Sequence, residues 1–310
     1  MRTFRTYHDI EADPTADLPA QVGAQLERLR GRLAAVRGIW FVASGKGGVG
    51  KSAVTANLAA SLAHRGLRVG ALDADLNGPS LARMLGADRG SLRIDADGVH
   101  PAPGAAGARV MSMDLLLGAE DAPVGWREPD AFGGFIWQST LETGALREFM
   151  ADVAWGDLDL LLIDLPPGTD KLRRAFELIP DPAGVLLVST PSEASRFVVL
   201  RSIRLVQQLG ARRIGLVANM TGHVCGACGH HEPLFDDDGA GRLAAETGIE
   251  TWAEIPFHPA LARTTDHGHP PVLDEAGNPA AVALNLLADR VAETLDHGRG
   301  SPGREQGSMS

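Results

Sequence analysis

Cysteine occurs only twice in this sequence, as Cys225 and Cys228. A C-x-x-C pair makes a poor stabilising disulfide framework, so the two thiols point to metal or redox chemistry instead. Long apolar runs are missing as well, which excludes a helix that crosses a bilayer, and no membrane insertion is expected. The N-terminal Met1, Arg2, Thr3, Phe4 and Arg5 lead into acidic and polar residues, not into the apolar segment of a signal peptide, so a cytoplasmic location is expected. Basic residues are outnumbered, 29 against 39 acidic ones, for a net charge of -10. That balance lacks the broad electrostatic footprint of a dedicated nucleic-acid binder, and no stable binding to nucleic acid is expected.

What is present reads as an ordinary globular chain of 310 residues, 44% hydrophobic and 22% charged, which an α/β fold can accommodate as a single unit. Its most informative stretch is Gly45, Lys46, Gly47, Gly48, Val49, Gly50, Lys51 and Ser52, which fits G-x-x-x-x-G-K-S/T. Glycines there let successive backbone N–H groups converge on a phosphate, Lys51 reaches the β and γ phosphates, and the Ser52 hydroxyl can ligate Mg²⁺. An apolar run over 38–43 precedes the loop and a helical pattern over 52–64 follows it, so a bound anion would also sit at a helix N-terminus. Lys46, beside the first glycine, is a second lysine that the bare motif does not require.

Residues 1–18 have no period, whereas 19–36 place Val22, Leu26, Leu29, Leu33 and Val36 at helical spacing, with Arg28, Arg30, Arg32 and Arg37 as a solvated face. Strands are expected over 68–72, 108–113, 158–163, 184–189, 213–218 and 250–255, and helices over 78–86, 140–153, 192–209 and 279–295. The last helix carries Val282, Leu286, Leu287, Val291 and Leu295 as a core-facing stripe, and its polar face lacks the Lys and Arg density of a membrane-docking helix. Alternating strands and helices predict an α/β fold, a mostly parallel sheet with helices on both faces. Ligands in such folds gather beyond the C-terminal ends of the strands, where the phosphate loop, Asp75, Asp164, Asn219 and the cysteines are expected to meet. The expected division is an arm and leader helix over 1–37, a nucleotide-binding domain over 38–296, and a disordered tail over 297–310.

Phosphoanhydride hydrolysis needs a held metal, an offset for the γ-phosphate charge and an aimed water. Asp164, ending the Leu-Leu-Ile-Asp strand, is placed to orient Mg²⁺ through its water shell. Asp75 is placed to position the attacking water, with Asp73 as a supporting acid in the metal's outer shell. Pro166, Pro167, Gly168, Thr169 and Asp170 form a stiff loop suited to sensing hydrolysis.

The run from Lys46 to Ser52 resembles the deviant Walker A loop of the SIMIBI ATPases, which include MinD, ParA and the nitrogenase iron protein. More narrowly, Asp73-Ala74-Asp75-Leu76-Asn77-Gly78-Pro79-Ser80, Ile163-Asp164-Leu165-Pro166-Pro167-Gly168-Thr169, Asn219-Met220 and Cys225-Gly226-Ala227-Cys228-Gly229 look like the Mrp/ApbC iron-sulfur carrier ATPases, over about 38–271. The resemblance implies an ATP-hydrolysing homodimer that binds ATP and Mg²⁺ through Gly47, Gly48, Val49, Gly50, Lys51, Ser52 and Ala53. It also implies that Lys46 reaches the partner subunit's nucleotide, that Asn219 recognises adenine, and that Cys225 and Cys228 of two subunits share a four-iron four-sulfur cluster for delivery to apo-proteins. Thiolate counting agrees, because such a cluster takes four ligands and one chain has two. Zinc on the same thiolates, a mixed site with His223, His230 and His231, and a redox pair remain alternatives. At the level of function, the alternatives are a MinD/ParA-like switch that recruits a partner and an ATP-coupled iron-sulfur reductase component. Two departures stand out. Thr169 abuts Asp170 where the family usually has an intervening glycine. About ten extra residues separate Trp126-Arg127-Glu128-Pro129 from Trp137, and a specialised partner surface is expected there.

Overall fold

The computed structural model describes residues 18–296, apart from 77, 117–143, 145, 148, 226–227, 236–238 and 275–276. The expected arm, the tail and the expanded loop around 126–136 lie outside the described residues.

Helix α1 (Leu18–Leu33) leads into β1 (Ile39–Ser44), α2 (Lys51–His64) and β2 (Val69–Asp73). A short α3 (Leu81–Met84) is followed by β3 (Arg93–Asp95), β4 (Gly98–His100), β5 (Ala102–Pro103) and β6 (Arg109–Met111). Residues 149–152, within the expected helix over 140–153, are helical. Then come β7 (Leu160–Asp164), α4 (Thr169–Leu178), β8 (Gly184–Ser189) and α5 (Glu193–Gln208). The chain continues through β9 (Ile214–Val224), β10 (His231–Pro233), α6 (Gly239–Thr247), β11 (Thr251–Phe257), α7 (Pro259–Asp266) and α8 (Pro279–Asp296).

The main sheet has the order β10-β9-β8-β1-β7-β2-β6-β5, with β11 also paired to β9. Only β10 and β5 join it antiparallel; β3 and β4 form a separate hairpin. The central strands are buried along nearly their whole length, as expected of parallel strands covered on two faces. One face packs α2, α3 and α8 around Leu58, Leu62, Leu81 and Leu287. The other packs α1, α4, α5 and α6 around Leu29, Leu172, Phe176, Ile203 and Leu243. Helix α2 is buried on almost every side, and its small residues Ala56, Ala59, Ala60 and Ala63 let the sheet and α8 approach closely.

Two expectations need correction. On α8 the buried stripe is Ala280, Ala281, Leu284, Leu287, Ala288, Val291 and Leu295, while Val282 and Leu286 are 45% and 63% exposed. The apolar period was correct over Leu287, Val291 and Leu295, but small alanines, not the larger Val282 and Leu286, fit the narrow gap against α2. Strand β9 runs six residues beyond the expected end at 218, because β10 and β11 supply edge partners to a segment whose own pattern is polar. Helices α4, α6 and α7 lie in stretches that carried no helical expectation; α4 buries only Leu172, Ala175 and Phe176.

Candidate functional site

Strand order places three chain ends side by side. In the parallel register Asp164 stands opposite Val42 on one neighbour and Asp73 on the other, so the loops after β1, β2 and β7 open at one edge of the sheet. The phosphate loop fills the first of these. Gly48 and Gly50 have φ of +78° and +80°, left-handed values that side chains rarely adopt, and Gly50 directly precedes α2. The loop thereby leads straight into the N-terminus of α2, a position suited to an anion.

Asp164 is the hub of the site. Its carboxylate is 1% exposed and lies 2.7 Å from Lys51 Nζ. It accepts hydrogen bonds from Ser52 Oγ at 2.6 Å and from Thr55 Oγ1 at 2.8 Å. Thr55 was not anticipated, although its position four residues after Lys51 puts it on the same helix face. A carboxylate with one cation and two hydroxyl donors is well compensated for burial.

Asp73 serves a different set of partners. Its carboxylate accepts from the backbone N–H groups of Asp75, Ser80 and Leu81 at 3.1, 2.8 and 2.9 Å, and so ties the loop after β2 to the start of α3. Burial, followed by the charge of Asp164, pushes the Asp73 carboxyl up to about 7 from its ordinary 3.8. An acid raised in this way takes up a proton on folding, so its contribution to stability is full below the unfolded value and is lost as the pH rises through the folded one. Asp73→Asn, neutral throughout, is therefore expected to lose less melting temperature than wild type between pH 4.5 and pH 7.5. Parallel pH profiles of the two proteins in thermal unfolding would refute the assignment.

Asp75 is half-buried, with Oδ1 accepting from Gly78 N–H at 3.1 Å. Lys46 is exposed, and its ammonium has no ion pair among the described residues. Asn219 lies within β9, not after it; its side-chain amide donates to Val49 O at 2.8 Å. Leu165 N–H donates to Val42 O and Gly168 N–H to Ser44 O, so the loop containing Pro166 and Pro167 is fastened to β1 just before the phosphate loop. Thr169 and Asp170 form the first turn of α4.

The cysteines sit where β9 turns toward β10. Cys225 is half-buried, Cys228 exposed, and neither is in a disulfide. Cys225 N–H donates to His230 O at 2.9 Å and Gly229 N–H to Cys225 O at 2.8 Å, closing the turn. His223 is half-buried, whereas His230 and His231 are exposed. Among the described residues no three His, Cys, Asp or Glu side chains converge as a metal site.

Comparison with known proteins places this geometry. The family model ParA, described as NUBPL iron-transfer P-loop NTPase, matches residues 35–292. An iron-sulfur cluster carrier protein of Saccharolobus solfataricus is 35% identical over 256 residues, covering 82% of this chain and 83% of that protein. The solved structure of a nucleotide-binding protein from Archaeoglobus fulgidus, in complex with ADP, is 36% identical and has a TM-score of 0.67, covering 83% of this chain and 95% of that one. The septum site-determining protein MinD of Pyrococcus horikoshii, solved with Mg-ADP, shares the fold at a TM-score of 0.52 and 22% identity, over 82% of this chain and 95% of that one.

Proposed function

The chain belongs to the ParA family of NUBPL iron-transfer P-loop NTPases, and from that membership we propose that it is an ATP-binding and ATP-hydrolysing homodimer that carries an iron-sulfur cluster between its subunits and passes it to apo-proteins in the cytoplasm. The observation that carries the reading is the Cys225–Cys228 turn. These are the only two thiols in the chain, neither is in a disulfide, and they follow the end of a strand, with no third ligand beside them among the described residues. A cluster that takes four thiolates is completed by a second copy of the same turn.

The donor set at the phosphate loop suits Mg-ATP. Residues Gly47, Gly48, Val49, Gly50, Lys51, Ser52 and Ala53 offer backbone N–H groups, and Ser52 offers a hydroxyl, already turned toward Asp164. Phosphate oxygens compete with Asp164 for Lys51. With Lys51 turned to them, Asp164 would be the carboxylate left to hold a Mg²⁺ ion through water, with Asp73 as a supporting acid. Bound Mg²⁺ supplies neutralisation of the charge that grows on the phosphates during transfer. Asp75 orients the attacking water, and Lys46, exposed and without an ion pair among the described residues, extends to the partner subunit's nucleotide. Asn219, fixed at the wall of the loop, keeps its carbonyl oxygen for the base.

Anaerobic reconstitution with iron and sulfide tests this. Wild type is expected to become coloured, dimeric and loaded with about four irons per dimer, while Cys225→Ala stays colourless. Colourless wild type, or a variant with equal iron, would refute the carrier reading. Colourless but zinc-loaded dimers would move the site to its metal competitor.

A further inference from the structure

Asn219 stands between the nucleotide site and the cysteine turn. It is 3% exposed and donates its side-chain amide to Val49 O within the phosphate loop. A Cβ on Gly50 would fall 2.3 Å from that same amide nitrogen, so the loop and the side chain are shaped around one another. The following residue, Met220, has φ of +59°, a left-handed backbone uncommon for a long side chain. There β9 also slips against its neighbour: Ile255 pairs with Asn219, yet Phe257 pairs with His223, so two steps along β11 match four along β9. Before the slip, β9 is held by β8 on one side and β11 on the other. After it, β9 pairs with β10, keeps a pairing to β11 at His223, and leads directly into Cys225.

We propose that Asn219 is a positioning residue which, with the Met220 kink, couples the phosphate loop to the reactivity of Cys225 and Cys228. A shift of the Val49 carbonyl on nucleotide binding pulls on Asn219. The first half of β9 is locked into the sheet and cannot slide, so the displacement is taken up by rotation at Met220 and swings the hairpin that bears the thiols. By linkage, a ligand bound at the cysteines alters nucleotide affinity by the factor by which nucleotide alters that ligand's affinity. The inference rests on nucleotide binding at the phosphate loop, but not on cluster transfer.

The full chain contains no other cysteines, so alkylation by iodoacetamide reads this turn alone. In wild type, saturating Mg-ADP or a non-hydrolysable ATP analogue is expected to change the alkylation rate by about fivefold or more, the lower end of ordinary allosteric coupling. Asn219→Ala also loses the group assigned to the base, so it is expected to bind nucleotide more weakly. At its own saturating concentration, and independently in Met220→Gly, whose affinity calorimetry is expected to find retained, the ratio of rates with and without nucleotide falls toward one. Met220→Gly relieves the left-handed backbone instead of disturbing the core, which keeps the test open if the first variant folds poorly. A merely structural role moves absolute rates and melting temperature but leaves that ratio unchanged. A wild type without a nucleotide response, or variants with the full response, would overturn the proposal. A normal response in a protein that takes up no cluster would instead sink the carrier reading and leave this coupling standing.

Discussion

Lys51→Met is expected to abolish nucleotide binding and also to destabilise the ligand-free fold, by about 3–5 kcal/mol if the buried ion pair behaves as broken pairs usually do. The first effect follows from the phosphate loop, in which Lys51 is the side chain that meets the β and γ phosphates. The second follows from Asp164, whose carboxylate is 1% exposed and 2.7 Å from the Lys51 ammonium. Without that cation, Asp164 retains the Ser52 and Thr55 hydroxyls among the described residues and stands opposite Asp73 across the β2–β7 register. The charge of Asp164, which already helps push the Asp73 carboxyl up, is then left without its cation. Urea unfolding of Lys51→Met, of Asp164→Asn and of the double variant separates the contributions. The double variant should recover much of the loss, because neither charge is left alone, yet still bind no nucleotide. A single Lys51→Met variant as stable as wild type would show that the pair adds nothing to the fold.

Lys46→Ala should behave in the opposite way, with stability and ADP affinity retained and ATP turnover reduced by about 10²–10³-fold, the usual effect of deleting one charge-stabilising group from a reacting centre. Its ammonium is exposed and without an ion pair among the described residues, so the fold has nothing to lose. Complementation tests whether it acts across a dimer. Asp75→Asn is expected to be inactive while keeping Lys46. An equimolar mixture of Lys46→Ala and Asp75→Asn makes half of its dimers mixed, each with one complete site, and should restore about a quarter of wild-type turnover. No recovery on mixing, with exchange of subunits verified by mass, would place Lys46 in its own subunit's site or outside catalysis.

These expectations differ in where they could be read. The phosphate loop, the acids after the second and seventh strands and the C-x-x-C turn were legible as spacing, because each is a local requirement. Glycine is needed where φ is positive, a helix N-terminus where an anion binds, and paired thiols where a soft metal is held. Periodicity placed the central strands within a residue or two for the same reason, since burial on both faces demands uninterrupted apolar residues. It failed on the polar half of β9, on α4 and on the outer line of α8, where the decisive partner is another element and not the segment's own pattern.

The sequence by itself determined that this chain has a glycine-rich phosphate loop, acids at or just after the ends of two strands and a C-x-x-C pair, since those depend on residue type and short-range backbone geometry. Only the tertiary structure decided which of them touch. Asp164 meets Ser52 across 112 positions, and Asn219 meets Val49 across 170. Such contacts exist because β7 and β8 flank β1, with β9 outside β8, an order the linear chain does not display. Parallel strands brought in by crossover connections set their loops side by side at one sheet edge, and the packing of both faces holds them there.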